Sequence, residues 1–180
     1  MNSPKARVLV LLNPKASRAE AVLPRLVSWF TENCQAVIAV CKSGKESELK
    51  LEAHGREVDL IVIGGGDGTI SKAMPQLLEL KRTIAVLPLG TANDFARTIG
   101  LPTDPVEAAH VAINGREHYV DVGLVNDRPY LNVASVGLAS KVTEQQSREL
   151  KRTWHSLAYA IGLARAVRDL QPFFVTTGHR

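Results

Sequence analysis

Two clusters of small and polar residues stand out for the chemistry they can do. The first, Gly64-Gly65-Gly66-Asp67-Gly68-Thr69-Ile70, is entered directly from the apolar run Val58-Asp59-Leu60-Ile61-Val62-Ile63. A strand that empties into glycines and then a helix brings backbone N–H groups and the positive helix end to one point, where a phosphate can sit. Glycine permits that close approach because no Cβ intervenes. Asp67 cannot favour a phosphate by its own charge. It suits a magnesium ion, held directly or through water, because a hard cation takes oxygen ligands and bridges phosphates. Thr69 adds a hydroxyl at the helix start. Glycines alone are equally consistent with a plain turn in which Asp67 caps the following helix.

The second cluster is Leu87-Pro88-Leu89-Gly90-Thr91-Ala92-Asn93-Asp94-Phe95-Ala96-Arg97, which again follows an apolar run and opens a helix. In a parallel sheet both loops lie at the carboxyl ends of their strands, the edge where ligands bind, so they are expected to face one crevice. Arg97 can serve a phosphate or pair with a carboxylate such as Asp94. Lys15, in an earlier loop, is either a point charge for a phosphate or a solvated surface group.

The elements that must position these loops follow from hydrophobic patterning. Apolar runs at Arg7 to Leu12, Ala36 to Val40, Asp59 to Ile63 and Thr83 to Leu87 are separated by helical stretches, the pattern of parallel strands covered on both faces. Ser17 is placed to cap a helix carrying Val22, Leu26, Val27 and Phe30 at three- and four-residue steps. Lys45 to His54 reads as a short helix ended by Gly55, and Gly68 to Leu80 as another. Together these predict an α/β fold, a doubly wound, mostly parallel nucleotide-binding sheet over residues 1–114. From residue 115 the pattern becomes β-rich. Glu117 to Val125 and Tyr130 to Val136 are joined by Asn126-Asp127-Arg128-Pro129, a hairpin-like turn cluster. An amphipathic stripe of Leu150, Trp154, Leu157 and Ile161 follows, and then a strand at Phe173 to Thr176. Residues 115–180 are thus expected to be the start of a second, truncated β-rich domain.

Composition narrows the class. With 180 residues, 45% of them hydrophobic, the chain can bury a core. The net charge of +4, 22 basic against 18 acidic residues, is spread along the chain and calls for no nucleic acid. Cys34 and Cys41 lack metal-ligand spacing and are too few for a disulfide framework, which points to a reducing cytoplasm. No apolar stretch reaches the length of a membrane span, so any membrane contact is expected to be peripheral. The stripe at 150–161, flanked by Arg148, Lys151, Arg152, Arg165 and Arg168, reads as a helix packed on its own domain or as a membrane-surface helix. Left uncovered, it would favour a homo-oligomer.

GGGDGT followed by PLGTANDFAR resembles the catalytic domain of diacylglycerol kinases and related bacterial lipid kinases, a superfamily that includes sphingosine and ceramide kinases. The NDFAR form is closer to the diacylglycerol kinase branch. The likeness extends to Leu12-Asn13-Pro14-Lys15-Ala16-Ser17, to Val120-Asp121-Val122-Gly123 and to Leu131 through Gly137. It implies an ATP-dependent, magnesium-requiring phosphotransferase that passes the γ-phosphate to a lipid hydroxyl at a membrane surface. By position, Asn13 and Lys15 would meet the nucleotide and Ser43 would lie near the nucleoside. Gly65, Gly66, Asp67, Gly68 and Thr69 would hold phosphates and magnesium, and Thr91, Asn93 and Asp94 would complete the crevice. Asp67 is the implied catalytic residue and metal ligand.

Two departures bear on activity. Where the family pattern runs GDGT-x-N-E, this chain has Ile70-Ser71-Lys72, a cation in place of a carboxylate. The resemblance also implies further carboxylates in a second domain, near the reacting hydroxyl and at a structural magnesium, which these 180 residues are expected to lack. Other readings therefore stay open: a non-catalytic nucleotide-binding or assembly module, and a nicotinamide-dinucleotide kinase, which shares a GGDGT loop. A Rossmann oxidoreductase fits least, since no G-x-G-x-x-G with a downstream ribose acid is present.

Overall fold

A computed structural model describes residues 6–131 of the chain. Four strands, β1 (Arg7–Leu12), β2 (Gln35–Val40), β3 (Leu60–Gly65) and β4 (Thr83–Pro88), form one parallel sheet in the order β2-β1-β3-β4. Five helices alternate with or follow them: α1 (Ala19–Asn33), α2 (Gly44–His54), α3 (Asp67–Leu80), α4 (Asp94–Thr98) and α5 (Pro105–Asn114). The fold is the expected α/β, doubly wound arrangement.

The alternation of side chains along β1 shows why both faces need helices. Leu9 and Leu11 join one core with Ile61, Ile63, Leu51 of α2 and Ile70, Met74 and Leu77 of α3. Val8, Val10 and Leu12 point the other way, onto Leu26 and Phe30 of α1 and Ala108 and Ala109 of α5. A strand buried on both faces reads as a continuous apolar run, as RVLVLL does.

Several boundaries differ from expectation. The first residue of α1 is Ala19, with Arg18 at the cap and no side-chain capping bond, because the Ser17 hydroxyl accepts from Thr91 Oγ1 instead. In α1, Val27 faces outward, while Val22, Leu26 and Phe30 are buried. β3 runs two residues further than the apolar run, so Gly64 and Gly65 pair as strand residues, opposite Leu12 and Leu87 and opposite Pro88. α5 is an addition. Its signal is Asp104-Pro105, a cap followed by proline in the first turn, and Asp104 Oδ1 accepts from the N–H groups of Val106 and Glu107.

The hairpin is tighter than expected. β5 (Gly123–Val125) and β6 (Arg128–Tyr130) pair antiparallel through a two-residue loop, Asn126-Asp127, both at positive φ. Asn and Asp tolerate the left-handed region, which this turn requires twice, so Arg128 and Pro129 are released into the strand. Pro129 faces Leu124 at the pair beyond the turn-closing one, a position that asks no N–H of it. Val122 and Leu131 pack against the core on the α2–α3 side. The expected run beyond residue 131, the stripe Leu150 to Ile161 with its flanking basic residues, and the strand Phe173 to Thr176 lie outside the described residues.

Candidate functional site

The strand order places β1 beside β3, while their connections lead outward in opposite directions to β2 and β4. The crevice beyond the carboxyl ends of β1 and β3 is where such sheets bind ligands. Asn13, just past the end of β1, ties the β1 loop to the β3 loop. Its backbone N–H donates to the Gly64 carbonyl (2.8 Å), its Nδ2 donates to Thr69 Oγ1 (3.0 Å), and its Oδ1 accepts from the Lys15 N–H (2.9 Å). Thr69 in turn fills the space a side chain at Gly65 would need, with its Cβ 2.5 Å from the ideal Cβ position there.

The β3 and β4 loops meet backbone to backbone. A Cβ built on Gly90 would fall 2.5 Å from the Gly66 Cα, and one on Gly66 would fall 3.1 Å from the Gly90 Cα. The Leu89 N–H donates to the Gly65 carbonyl at 3.1 Å. Asp67 closes the junction: Oδ2 accepts from the Asp94 N–H (3.1 Å) and Oδ1 from the Phe95 N–H (3.0 Å). It therefore caps α4, across the crevice rim, and not its own helix. Asn93 is buried at φ 51, ψ 45, and its amide grips the peptide groups of Gly90, accepting from N–H at 2.8 Å and donating to the carbonyl at 2.7 Å.

The glycines thus divide by cause. Gly65 and Gly90 are required by close packing within the protein, and Gly66 sits tightly against Gly90. Gly68 is not, since a Cβ there would meet nothing within 4 Å and its φ is not positive. The Gly66 carbonyl accepts from the Thr69 and Ile70 N–H groups at 2.8 and 3.3 Å, and the N–H groups of Asp67 and Gly68, in the first turn of α3, have no intrahelical acceptor. Among the described residues, open space and unclaimed donors coincide at residue 68.

The remaining predicted residues sit around this centre in different ways. Lys15 is exposed, and among the described residues its ammonium joins no ion pair. Thr91 is exposed and donates to Ser17 Oγ at 3.2 Å. Asp94 and Arg97 form a solvated pair at 3.6 Å, the weak alternative foreseen for Arg97. Lys72 lies exposed on α3, outside both ion pairs described. Ser43 caps α2 by accepting from the Glu46 N–H at 3.2 Å, and its bonds are local to that helix start.

Arg18 was not singled out by its sequence. Its N–H donates to the Leu89 carbonyl (3.0 Å), and its guanidinium donates to the carbonyls of Thr103 (2.7 Å) and Pro88 (3.4 Å), which anchors the β4 loop. The available signal was a cation at a helix start, where the dipole disfavours it and a tertiary partner must compensate. A concavity of about 670 Å³ beside Arg7, His54 and Glu57 opens at the other end of the sheet and shares no residue with the crevice.

A divalent cation fits the donor set in one manner only. Among the described residues no group of three or more His, Cys, Asp or Glu side chains could hold a metal. Asp67 keeps one lone-pair direction on each oxygen after accepting its two N–H bonds. One carboxylate completed by phosphate oxygens and water is a usual magnesium environment.

Residues 7–125 match the model of the diacylglycerol kinase catalytic domain. The chain belongs to that family. It is 36% identical over 133 residues to "Diacylglycerol kinase" of Bacillus subtilis (strain 168), covering 72% of this chain and 44% of the relative. It is 39% identical over 118 residues to "Probable lipid kinase YegS-like" of Klebsiella pneumoniae (strain 342), covering 63% and 40%. A solved diacylglycerol kinase from Bacillus anthracis str. Sterne superposes with a TM-score of 0.68 at 30% identity, over 81% of this chain and 53% of that one. The chain spans less than half the length of these two curated relatives and about half of the solved diacylglycerol kinase. Among the described residues, no helix is long and apolar enough to cross a membrane.

Proposed function

We propose that the crevice binds the triphosphate of ATP with magnesium, and that the chain is the nucleotide-binding part of a lipid kinase that phosphorylates a lipid hydroxyl such as that of diacylglycerol. The observation that carries this reading is Gly68, a glycine that none of the described residues requires, beside N–H donors that none of the described residues uses. A phosphate hydrogen-bonded to the α3 N-terminus accounts for both.

In this reading the N–H groups of Gly66, Asp67 and Gly68 receive phosphate oxygens, and the exposed Lys15 ammonium adds charge from the β1 loop. Asn13 and Thr69 tie the β1 loop to the β3 loop, while Thr91 and Asp94 line the β4 side. Gly65 supports Thr69 from beneath, and Ser43 borders the nucleoside end. Asp67 holds the metal, directly or through water, and is the catalytic carboxylate. Bound magnesium supplies neutralisation of phosphate charge during transfer. Residues from 115 onward begin the lipid-acceptor part, with the protein working at the cytoplasmic face of a membrane.

Calorimetric titration with ATP, with and without magnesium, tests this in the chain and in Asp67→Asn. Magnesium should tighten binding to the chain and should do so far less in the variant. Equal affinity in all four titrations removes Asp67 from the role assigned to it. Transfer of labelled γ-phosphate to diacylglycerol in mixed micelles, set against dinucleotide as acceptor, tests the acceptor class.

A further inference from the structure

Asn93 is nine-tenths buried and is the buried polar side chain recorded among the described residues. It adopts the left-handed conformation, which Asn tolerates better than most residues. Its amide is paired on both sides with the backbone of one residue, accepting at 2.8 Å from the Gly90 N–H and donating at 2.7 Å to the Gly90 carbonyl. The loop 90–93 is closed into a ring by these two bonds, and Gly90 is backed directly by Gly66. The next two residues, Asp94 and Phe95, deliver the N–H groups that hold the two oxygens of Asp67.

From this chain of contacts we infer that Asn93, expected from its motif to line the nucleotide crevice, is instead a positioning residue for Asp67: buried against Gly90, it fixes the start of α4, whose N–H pair sets the plane of the Asp67 carboxylate, and it contacts no ligand itself. The inference rests on the nucleotide reading above. Its physical basis is that a carboxylate held at both oxygens by N–H groups on a rigid turn keeps one orientation, whereas the same carboxylate on a loose turn samples several rotamers. Loss of the Asn93 amide would then weaken the metal-dependent part of nucleotide binding. The contacts offered by the α3 N-terminus would remain.

The test is a cycle of Asn93→Gly and Asp67→Asn, singly and combined, in the full 180-residue chain, titrated with ATP with and without magnesium. Glycine accepts the left-handed conformation, so the substitution deletes the amide without adding strain. The ratio of affinities with and without magnesium should fall about 10-fold in Asn93→Gly, within the range for residues coupled in one hydrogen-bond network. Affinity for metal-free ATP should stay within about two-fold, and Asn93→Gly should add nothing in the Asp67→Asn background. If Asn93→Gly is unfolded by circular dichroism, Asn93→Asp, which keeps an acceptor for the Gly90 N–H, should retain part of the magnesium effect. The inference is overturned by an unchanged magnesium effect in the folded variant, by an equal loss with and without metal, or by additivity with Asp67→Asn. If the unaltered chain shows no magnesium-enhanced ATP binding, the nucleotide reading fails first and this one goes with it.

Discussion

Gly68→Ala separates what the fold needs from what a ligand needs. Gly68 is the second residue of α3, at a φ that is not positive, and a Cβ there would meet nothing within 4 Å. For the protein alone, alanine is the better residue. Such a change reduces the freedom of the unfolded chain and stabilises by about 0.4–1 kcal/mol. In a domain of this size that should raise the melting temperature by roughly 1–5 °C. For a phosphate seated on the Gly68 N–H the same methyl group is an obstruction. Loss of one hydrogen bond to a charged group costs about 1.5–3 kcal/mol, which weakens ATP binding on the order of 10- to 100-fold. Differential scanning fluorimetry and ATP titration on one preparation read both effects. A higher melting temperature with unaltered ATP affinity would refute the reasoning, because the open space above residue 68 would then belong to no phosphate.

The neighbouring glycine should behave in the opposite way. Gly90→Ala puts a methyl group 2.5 Å from the Gly66 Cα and 2.9 Å from Asn93 Oδ1, so thermal unfolding should show a loss of about 1–3 kcal/mol. Asp104→Ala removes the cap of α5 and should cost about 0.5–2 kcal/mol in a denaturant melt at neutral pH. Asp104 is held below its usual carboxylate range by the Glu107 N–H, and further by the Val106 N–H, against some desolvation. A depressed folded value means stabilisation that is complete above the unfolded value of about 3.9 and is lost as pH falls through the folded one. The gap in stability between Asp104→Ala and the parent chain should therefore close in melts below about pH 4.

How far the sequence disclosed these features depends on the range of the contacts involved. β1 and its alternating faces are legible because RVLVLL carries the whole signal locally, and the same is true of α2, which runs from Ser43 to Gly55 between its own caps. The hairpin was legible in kind and misplaced in register, because turn propensity at Asn126-Asp127-Arg128-Pro129 does not say which two of the four take positive φ. α5 has its local signal in the Asp104-Pro105 cap alone, since its ten residues carry few large apolar side chains. The Asp67 contact with α4 had no local signature, since its partners are backbone N–H groups 27 and 28 residues away. A backbone donor looks the same in every sequence, so only the fold reveals which carboxylate it serves.

That distinction alters what the glycine-rich motifs mean. In sequence they read as two flexible bends, each free to wrap a phosphate. In the folded chain most of their freedom is already consumed: Gly66 and Gly90 are pressed together, Gly65 is filled by Thr69, and the Gly90 N–H belongs to Asn93. What remains for a ligand is the first turn of α3 and the outward lone pairs of Asp67. A site so reduced is rigid, and rigidity before binding lowers the ordering cost that a triphosphate would otherwise impose on the loops. The glycines therefore act mainly by letting two loops approach closely enough to lock one carboxylate, and only at residue 68 by letting a ligand approach the backbone.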